Sequence, residues 1–137
     1  MQRYNYPIGL FEKDDMIGFK MSKNFNGVHD FEDITYKIFT NNIGCFDENI
    51  SNKSYDNIFL GDSHTWGYVP YGKRFSDLYK MEYHNENTIN CSSTGSSPLH
   101  QIEILKRLYD EGFKFKNIYY GYFIVNDVED DYLFPRY

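Results

Sequence analysis

The chain has 137 residues, enough for one domain with a modest core; 41% of them are apolar and 20% are aromatic. This supply of core-forming side chains excludes a disordered chain. The formal net charge of −6 and a pI near 5.1 leave no basic stripe for phosphates, which argues against nucleic acid or an anionic membrane as a partner.

No targeting or membrane-spanning segment is visible in the sequence. The N-terminus lacks the apolar stretch of a signal peptide, and nothing later approaches ~18 continuous apolar residues. The compartment is therefore unknown, with the cytoplasm as the default expectation. The two cysteines, Cys45 and Cys91, lie far apart without a C-x-x-C pair or a histidine cluster. We predict that both are reduced and structural, and we expect no metal site and no cofactor.

The first fifty residues are predicted to form a small antiparallel flap. Residues 34–40 alternate apolar and polar side chains, as a half-buried strand does. Residues 41–44 then supply the Asn and Gly of a turn. Residues 18–21 together with 27–29 are predicted to form a second short strand. We expect this extension, residues 1–50, to pack on the domain formed by the remainder.

Residues 51–137 follow an alternating strand and helix pattern. Short apolar runs predict strands at Ile58–Leu60, Thr88–Asn90 and Ile118–Val125. Helices are predicted between them, over residues 73–82 and 98–111. This order indicates an α/β fold that begins as a doubly wound parallel sheet.

The predicted helices carry their own start signals and apolar faces. Ser97 can cap the helix over 98–111, Pro98 suits its first position, and Glu103 and Arg107 form an i,i+4 pair. Apolar residues recur at helical spacing in both helices, and we expect them to face the core. They are Phe75, Leu78, Tyr79 and Met81 in the first helix, and Leu99, Ile102, Leu105 and Leu108 in the second.

Polar residues follow each of the three predicted strands. Asp62 and Ser63 come after the first, Gly95 after the second, and Asn126 after the third. In open α/β sheets ligands bind at this carboxyl edge. Ser63 lies at a strand-to-helix turn, where free N–H groups favour negative charge, so a serine there can attack while its own amide holds an oxyanion. Taken alone the Gly-Asp-Ser sequence is weak evidence, because Asp or Ser before a helix is ordinary capping.

The three strand ends together carry a family resemblance. The stretch Ile58–Gly67 resembles the first sequence block of the SGNH (GDSL-type) serine hydrolases. The stretch Asn90–Ser97 is similar to their second block, and Val125–Asp127 is similar to the third. Residues 18–45 resemble the N-terminal extension of some bacterial members. The resemblance therefore spans most of the chain.

The resemblance implies a fold and a set of roles. It implies a three-layer, flavodoxin-like sandwich with a parallel sheet, here truncated after the third strand, in which the Ser63 strand lies between the other two. Ser63 would be the nucleophile, with the Gly95 amide and the Asn126 side chain completing the oxyanion hole. The family hydrolyses esters of carbohydrates, lipids or small acyl groups, so a small ester or an acylated carbohydrate is the expected partner, without a cofactor.

The sequence departs from the family pattern at two points. Ile124 stands where the third block usually has glycine, and the Asp-x-x-His that supplies the family's general base does not occur. A serine without a positioned base is a poor nucleophile, so we expect the chain alone to be inactive. The four histidines, at positions 29, 64, 84 and 100, each have a plainer role in a helix, a loop or the flap. Trp66, Tyr68 and Tyr71 are expected to serve in core packing more than in a substrate pocket.

Two other interpretations remain open at this stage. The chain could be an inactive SGNH-like module that binds a carbohydrate or a partner protein. A flavodoxin-like nucleotide binder is less favoured, because no G-x-G-x-x-G or Walker-type loop occurs. In either case the third strand would be an exposed sheet edge, through which an oligomer could form.

Overall fold

The computed structural model describes residues 5–125 and 127–128, and two antiparallel hairpins make up its N-terminal part. Strands β1 (Phe11–Asp14) and β2 (Gly18–Met21) pair in one hairpin, and β3 (Asn26–Phe31) and β4 (Ile34–Phe39) pair in the other. The half-buried strand at 34–40 is confirmed. The prediction that the two segments before it form one strand is wrong, because each pairs with its own chain neighbour across a tight turn.

A three-stranded parallel sheet forms the centre of the rest. Its strands are β5 (Ser54–Gly61), β6 (Thr88–Asn90) and β7 (Lys114–Gly121), in the spatial order β6-β5-β7. This confirms a mixed α/β architecture with the Ser63 strand in the middle. The predicted limits of the third strand, Ile118–Val125, are shifted, since pairing follows β5 from Ser54 to its last residue, Gly61.

Three helices connect these strands. Helix α1 (Ser63–Trp66) follows β5 directly, α2 (Phe75–Glu82) precedes β6, and α3 (Pro98–Asp110) joins β6 to β7. The predicted start of α3 is confirmed, because the Ser97 hydroxyl accepts the His100 amide at 3.3 Å and Pro98 occupies the first turn. Among the described residues no helix is long and apolar enough to cross a membrane.

The two cysteines form a disulfide, so the prediction that both are reduced is wrong. Cys45 lies just after the turn at residues 41–44, and Cys91 directly follows β6. The fold brings their Cα atoms to 4.6 Å although 46 positions separate them. The turn depends on Gly44, whose φ is +88° and where a Cβ would lie 2.8 Å from the Met21 carbonyl oxygen.

Two apolar clusters stabilise this arrangement. The first lies between the sheet and α3 and contains the disulfide with Tyr55, Ile58, Leu60, Ile89, Leu108 and Phe113. The second joins the hairpins to α1 and contains Leu10, Met21, Tyr36, Ile38, Phe46 and Trp66. Trp66 is fully buried, as expected for core packing. The hairpins therefore share a core with the helix that begins at Ser63.

The predicted inward faces of the two long helices are partly wrong. Phe75, Leu78 and Met81 on α2 are 49%, 53% and 69% exposed, and Leu99 and Ile102 on α3 are 50% and 60% exposed. Leu108, by contrast, is buried. The described sheet is only three strands wide, so it covers only part of the face that the apolar residues of each helix share.

Candidate functional site

Two glycines, one at the end of β5 and one at the end of β7, leave room for the tight turn after β5. Gly61 has a φ of +145°, and a Cβ there would lie 2.8 Å from the Gly121 carbonyl oxygen and against the Thr65 hydroxyl. Gly121 pairs with Gly61 in the sheet, and a Cβ on it would also collide with Thr65. The close approach of these three residues lets β5 end abruptly and α1 begin at Ser63.

Asp62 caps α1 and orients the residue that follows Ser63. Its buried carboxylate accepts the His64 backbone N–H at 2.9 Å. The same carboxylate lies 3.3 Å from the Nδ1 atom of His64, whose ring packs on Phe123 with centroids 4.0 Å apart. Ser63 occupies the first helical position and is half-buried. A serine hydroxyl therefore lies at the end of the central strand, beside an oriented Asp–His pair.

The Ser63 hydroxyl has no hydrogen-bond partner among the described residues, and none of the four histidines supplies one. His64 is the next residue on a helix, and side chains at i and i+1 do not face each other. His84 is exposed, whereas His29 and His100 are buried. Burial lowers the pKa of His29, whose Nδ1 hydrogen-bonds to the Tyr36 hydroxyl at 2.8 Å. Activation of Ser63 by one of these imidazoles would require a rearrangement.

The loop after β6 rests on the Ser63 turn. The Ser93 amide donates to the Gly61 carbonyl oxygen at 3.1 Å, and the Ser96 hydroxyl donates to the same oxygen at 3.2 Å. Gly95 lies between these two anchors, is exposed and has a φ of +70°. The loop that carries Gly95 is thus fixed to the turn that carries Ser63, which brings the ends of two adjacent strands together.

A triangle of hydroxyl groups fixes the same loop from the N-terminal side. The hydroxyls of Tyr6 and Tyr68 lie 2.7 Å apart, and each lies 2.6 Å from the Thr94 hydroxyl. The sequence analysis missed Tyr6 and Thr94, since no local pattern links residues 88 positions apart. The N-terminal segment therefore helps to position the residue before Gly95.

Removal of one corner of this triangle should destabilise the protein. We expect Thr94→Val to lower the free energy of unfolding by about 1–2 kcal/mol, because it leaves two partly buried tyrosine hydroxyls without their shared partner. Thr35→Val is the matched control, since the exposed Thr35 hydroxyl makes one bond, to Asp30 at 2.7 Å. Urea unfolding would measure both; equal effects would contradict a special role for Thr94.

The third predicted site residue, Asn126, lies outside the described residues. Its neighbour Asp127 is buried and forms two hydrogen bonds with Phe123, in the segment that follows β7. The Phe123 amide donates to Asp127 Oδ2 at 2.7 Å, and the Asp127 amide donates to the Phe123 carbonyl oxygen at 3.0 Å. Because the Phe123 ring packs on His64, this segment approaches the Ser63 turn as well.

The site offers no metal-binding constellation: within residues 5–125 and 127–128 no group of three or more His, Cys, Asp or Glu side chains could hold an ion. Comparison with known proteins found no match among protein-family models, curated proteins or solved structures.

Proposed function

We propose that the chain is the nucleophile-bearing part of a serine esterase of the SGNH type, which cleaves an ester or O-acetyl bond in a small molecule or an acylated carbohydrate. One observation carries the proposal. The loop containing Gly95 is hydrogen-bonded to the turn that presents Ser63, through two donors to the Gly61 carbonyl oxygen. A nucleophile and an oxyanion donor must be held close together in this way for acyl transfer.

In the proposed reaction, the Ser63 hydroxyl attacks the ester carbonyl and an oxyanion develops on the carbonyl oxygen. The backbone amides of Ser63 and Gly95 donate to it, and the side-chain amide of Asn126 is proposed as the third donor. Asp62 supports the turn through the His64 amide and is not the triad acid. Collapse of the intermediate expels the alcohol and leaves an acyl-serine, which water then hydrolyses.

The general base is proposed to come from an Asp-x-x-His segment that would follow residue 137. The Ser63 hydroxyl has no partner among the residues described, which leaves its proton without an acceptor. Among the described residues β7 pairs only with β5, and several apolar residues of α2 and α3 are exposed, which would give further strand and helix units a place to pack. The β7 strand could instead support self-association of the isolated chain.

A second candidate function, a binding module without catalysis, is favoured by the absence of a hydrogen-bond partner for the Ser63 hydroxyl among the described residues. A binding module that kept the SGNH-like fold but lost catalysis would have no reason to activate Ser63 and could bind a carbohydrate or a partner protein. Trp66 could not serve such a module as a sugar platform, because it is fully buried. The two proposals differ in whether Ser63 reacts as a nucleophile.

A fluorophosphonate probe, with imidazole added as an external base, distinguishes the two proposals. For the esterase we expect one covalent adduct, formed faster as imidazole is added. Imidazole takes the Ser63 proton while the serine oxygen bonds to phosphorus and fluoride leaves, and the oxyanion donors stabilise the charge that develops on the phosphoryl oxygen. The adduct should disappear in Ser63→Ala and remain in Ser51→Ala, which changes an exposed serine at the opposite end of β5. Mass spectrometry would locate it. No adduct on Ser63 at any imidazole concentration would favour the binding module.

Ester hydrolysis without an added base should be nearly the same with and without Ser63. We expect the chain to cleave p-nitrophenyl acetate at a rate within about twofold of Ser63→Ala, since residual catalysis in triad-deficient enzymes comes from the oxyanion hole and binding. Steady-state assays of the monomeric fraction would measure both rates. Robust turnover that is lost in Ser63→Ala would show instead that a histidine of this chain acts as the base, with His64 or His29 as the first candidates.

A further inference from the structure

A partly open cavity of about 330 Å³ lies between the N-terminal hairpins and α3. Met21, Ile43, Ile104 and Leu108 form its apolar wall, and the Cys45–Cys91 disulfide borders it. Neither Ser63 nor Gly95 lines it. Its volume is at the lower end of the range for small-molecule sites, which are also mostly apolar with a few polar groups. An inference about this cavity therefore does not depend on the proposed esterase.

Two polar side-chain atoms at the cavity have no hydrogen-bond partner among the described residues. They are the Nε2 atom of His100 and the hydroxyl oxygen of Ser93, and both residues are at least 95% buried. Both residues line the cavity, but the two atoms themselves lie beneath its surface, so a ligand oxygen would reach them only after a shift of the two side chains. An unsatisfied buried polar group costs about 1–3 kcal/mol, so two of them at one cavity call for a partner that the described chain does not supply.

The charges around the cavity nearly balance. The cavity is lined by three basic residues, Lys20, Lys23 and Arg107, and by two acidic residues, Asp110 and Glu111. Arg107 is also neutralised by a bidentate ion pair with Asp14, with N–O distances of 2.7 and 3.0 Å.

The other basic residues add little positive charge inside the cavity. Lys20 lies within 3.5 Å of carboxylate oxygens of Glu12 and Asp14. Lys23 is exposed and has no ion pair with any described residue. Burial lowers the pKa of His100 to about 4, so its imidazole is uncharged at neutral pH. Nothing in the cavity selects strongly for an anionic or a cationic ligand.

We propose that this cavity binds a small, uncharged, mainly aliphatic molecule that carries one hydrogen-bonding oxygen, such as an alcohol. The aliphatic part would contact the wall formed by Met21, Ile43, Ile104 and Leu108. The oxygen would bind His100 Nε2 and the Ser93 hydroxyl, because a hydroxyl group can donate to one and accept from the other. Burial of the aliphatic part supplies most of the affinity, and the polar pair sets the orientation.

The test uses 1-hexanol as the probe, with hexanoate and hexylammonium as charged analogues of the same chain length. Titrations of the intact, oxidised protein are followed by amide chemical shifts in NMR spectra. We expect hexanol to bind with a Kd of about 1 mM or below. The shifted amides should cluster at residues 43–45 and 104–108, and both charged analogues should bind at least about threefold more weakly.

Three variants make the test specific to the cavity. Ile104→Trp fills the cavity and should weaken hexanol binding about tenfold or more, whereas Ile102→Trp, on the exposed side of the same helix, should leave it within about twofold. Ser93→Ala removes a hydroxyl with no partner, so it should fold normally and weaken hexanol by about threefold. This variant keeps the proposal testable if Ile104→Trp does not fold.

Three results would overturn the proposal. The first is the absence of hexanol-dependent shifts at residues 43–45 and 104–108 at concentrations up to several millimolar. Hexanoate or hexylammonium could bind more tightly than hexanol, which would mean that the charged residues at the rim select the ligand. Finally, Ser93→Ala and Ile104→Trp could both bind hexanol as the wild type does, which would place the ligand elsewhere.

Discussion

Reduction of the disulfide between Cys45 and Cys91 should lower the free energy of unfolding by about 4 kcal/mol. The bond closes a loop of 46 positions, and the chain-entropy model assigns this amount to a loop of that length. Both cysteines are 97% buried in the cluster between the sheet and α3, so the reduced thiols would remain in the core without the covalent link. A loss of this size is a large part of the stability of a domain.

Guanidinium unfolding with and without a reducing agent would measure the loss. The double variant Cys45→Ala, Cys91→Ala is the control, because its unfolding curve should be the same in both conditions. The oxidised wild type should unfold at the highest denaturant concentration, and the reduced wild type should resemble the double variant. Identical curves for oxidised and reduced wild type would mean that the two cysteines are not bonded in solution.

The pairing of the cysteines could not be predicted from local sequence. No spacing rule connects Cys45 and Cys91, because the contact depends on the turn at residues 41–44 reaching the end of β6. Such a contact appears only when the hairpins dock on the sheet. Structural disulfides are typical of proteins in oxidising compartments, so the bond removes the basis for a cytoplasmic default.

The parallel sheet could be predicted because its signals are local. A short apolar run such as Ile58–Leu60 indicates a strand buried on both faces, and Ser97 with Pro98 marks the start of α3. The burial of individual helix residues was harder to predict. Helical spacing indicates which residues share a face, but the exposure of Leu78 and Ile102 also depends on how much of that face the sheet covers.

The candidate site also has a part that local sequence predicts and a part that it does not. Ser63 and Gly95 could be selected because both follow predicted strands, and strand ends meet at one edge of a parallel sheet. The contacts that fix their positions were not predictable, since they join residues far apart in the chain. The hydroxyl triangle around Thr94 and the fit of Gly61 against Gly121 belong to this second class.

Acid should destabilise the protein in the pH range where buried histidines become protonated on unfolding. Burial lowers the pKa of His100 from 6.5 to about 4, with opposing contributions from Asp14, which raises it, and Arg107, which lowers it further. Below pH 6.5 the unfolded chain takes up a proton that the folded chain does not, so the free energy of unfolding falls as the pH falls. The loss is complete near pH 4 and amounts to roughly 3 kcal/mol for His100.

Asp14 acts in a different pH range, which separates the two effects. Its hydrogen bonds and ion pair with Arg107 hold the pKa of its carboxyl well below the usual value. The stability that it contributes is present above pH 4 and is lost only as the pH falls further, through the folded-state pKa. The decline between pH 6.5 and 4 therefore reports mainly on the histidines, and burial also lowers the pKa of His29.

Urea unfolding at a series of pH values would test this assignment with His100→Phe. An aromatic ring of similar size should keep the edge-on contact with Phe19, whose centroid lies 4.7 Å from that of His100. The variant should lose roughly 3 kcal/mol less than the wild type between pH 6.5 and 4. His84→Phe, which changes an exposed histidine, is the matched control. If His100→Phe declines as steeply as the wild type, His100 is either charged or accessible to water in the folded protein, and the polar side of the proposed cavity would have to be reassigned.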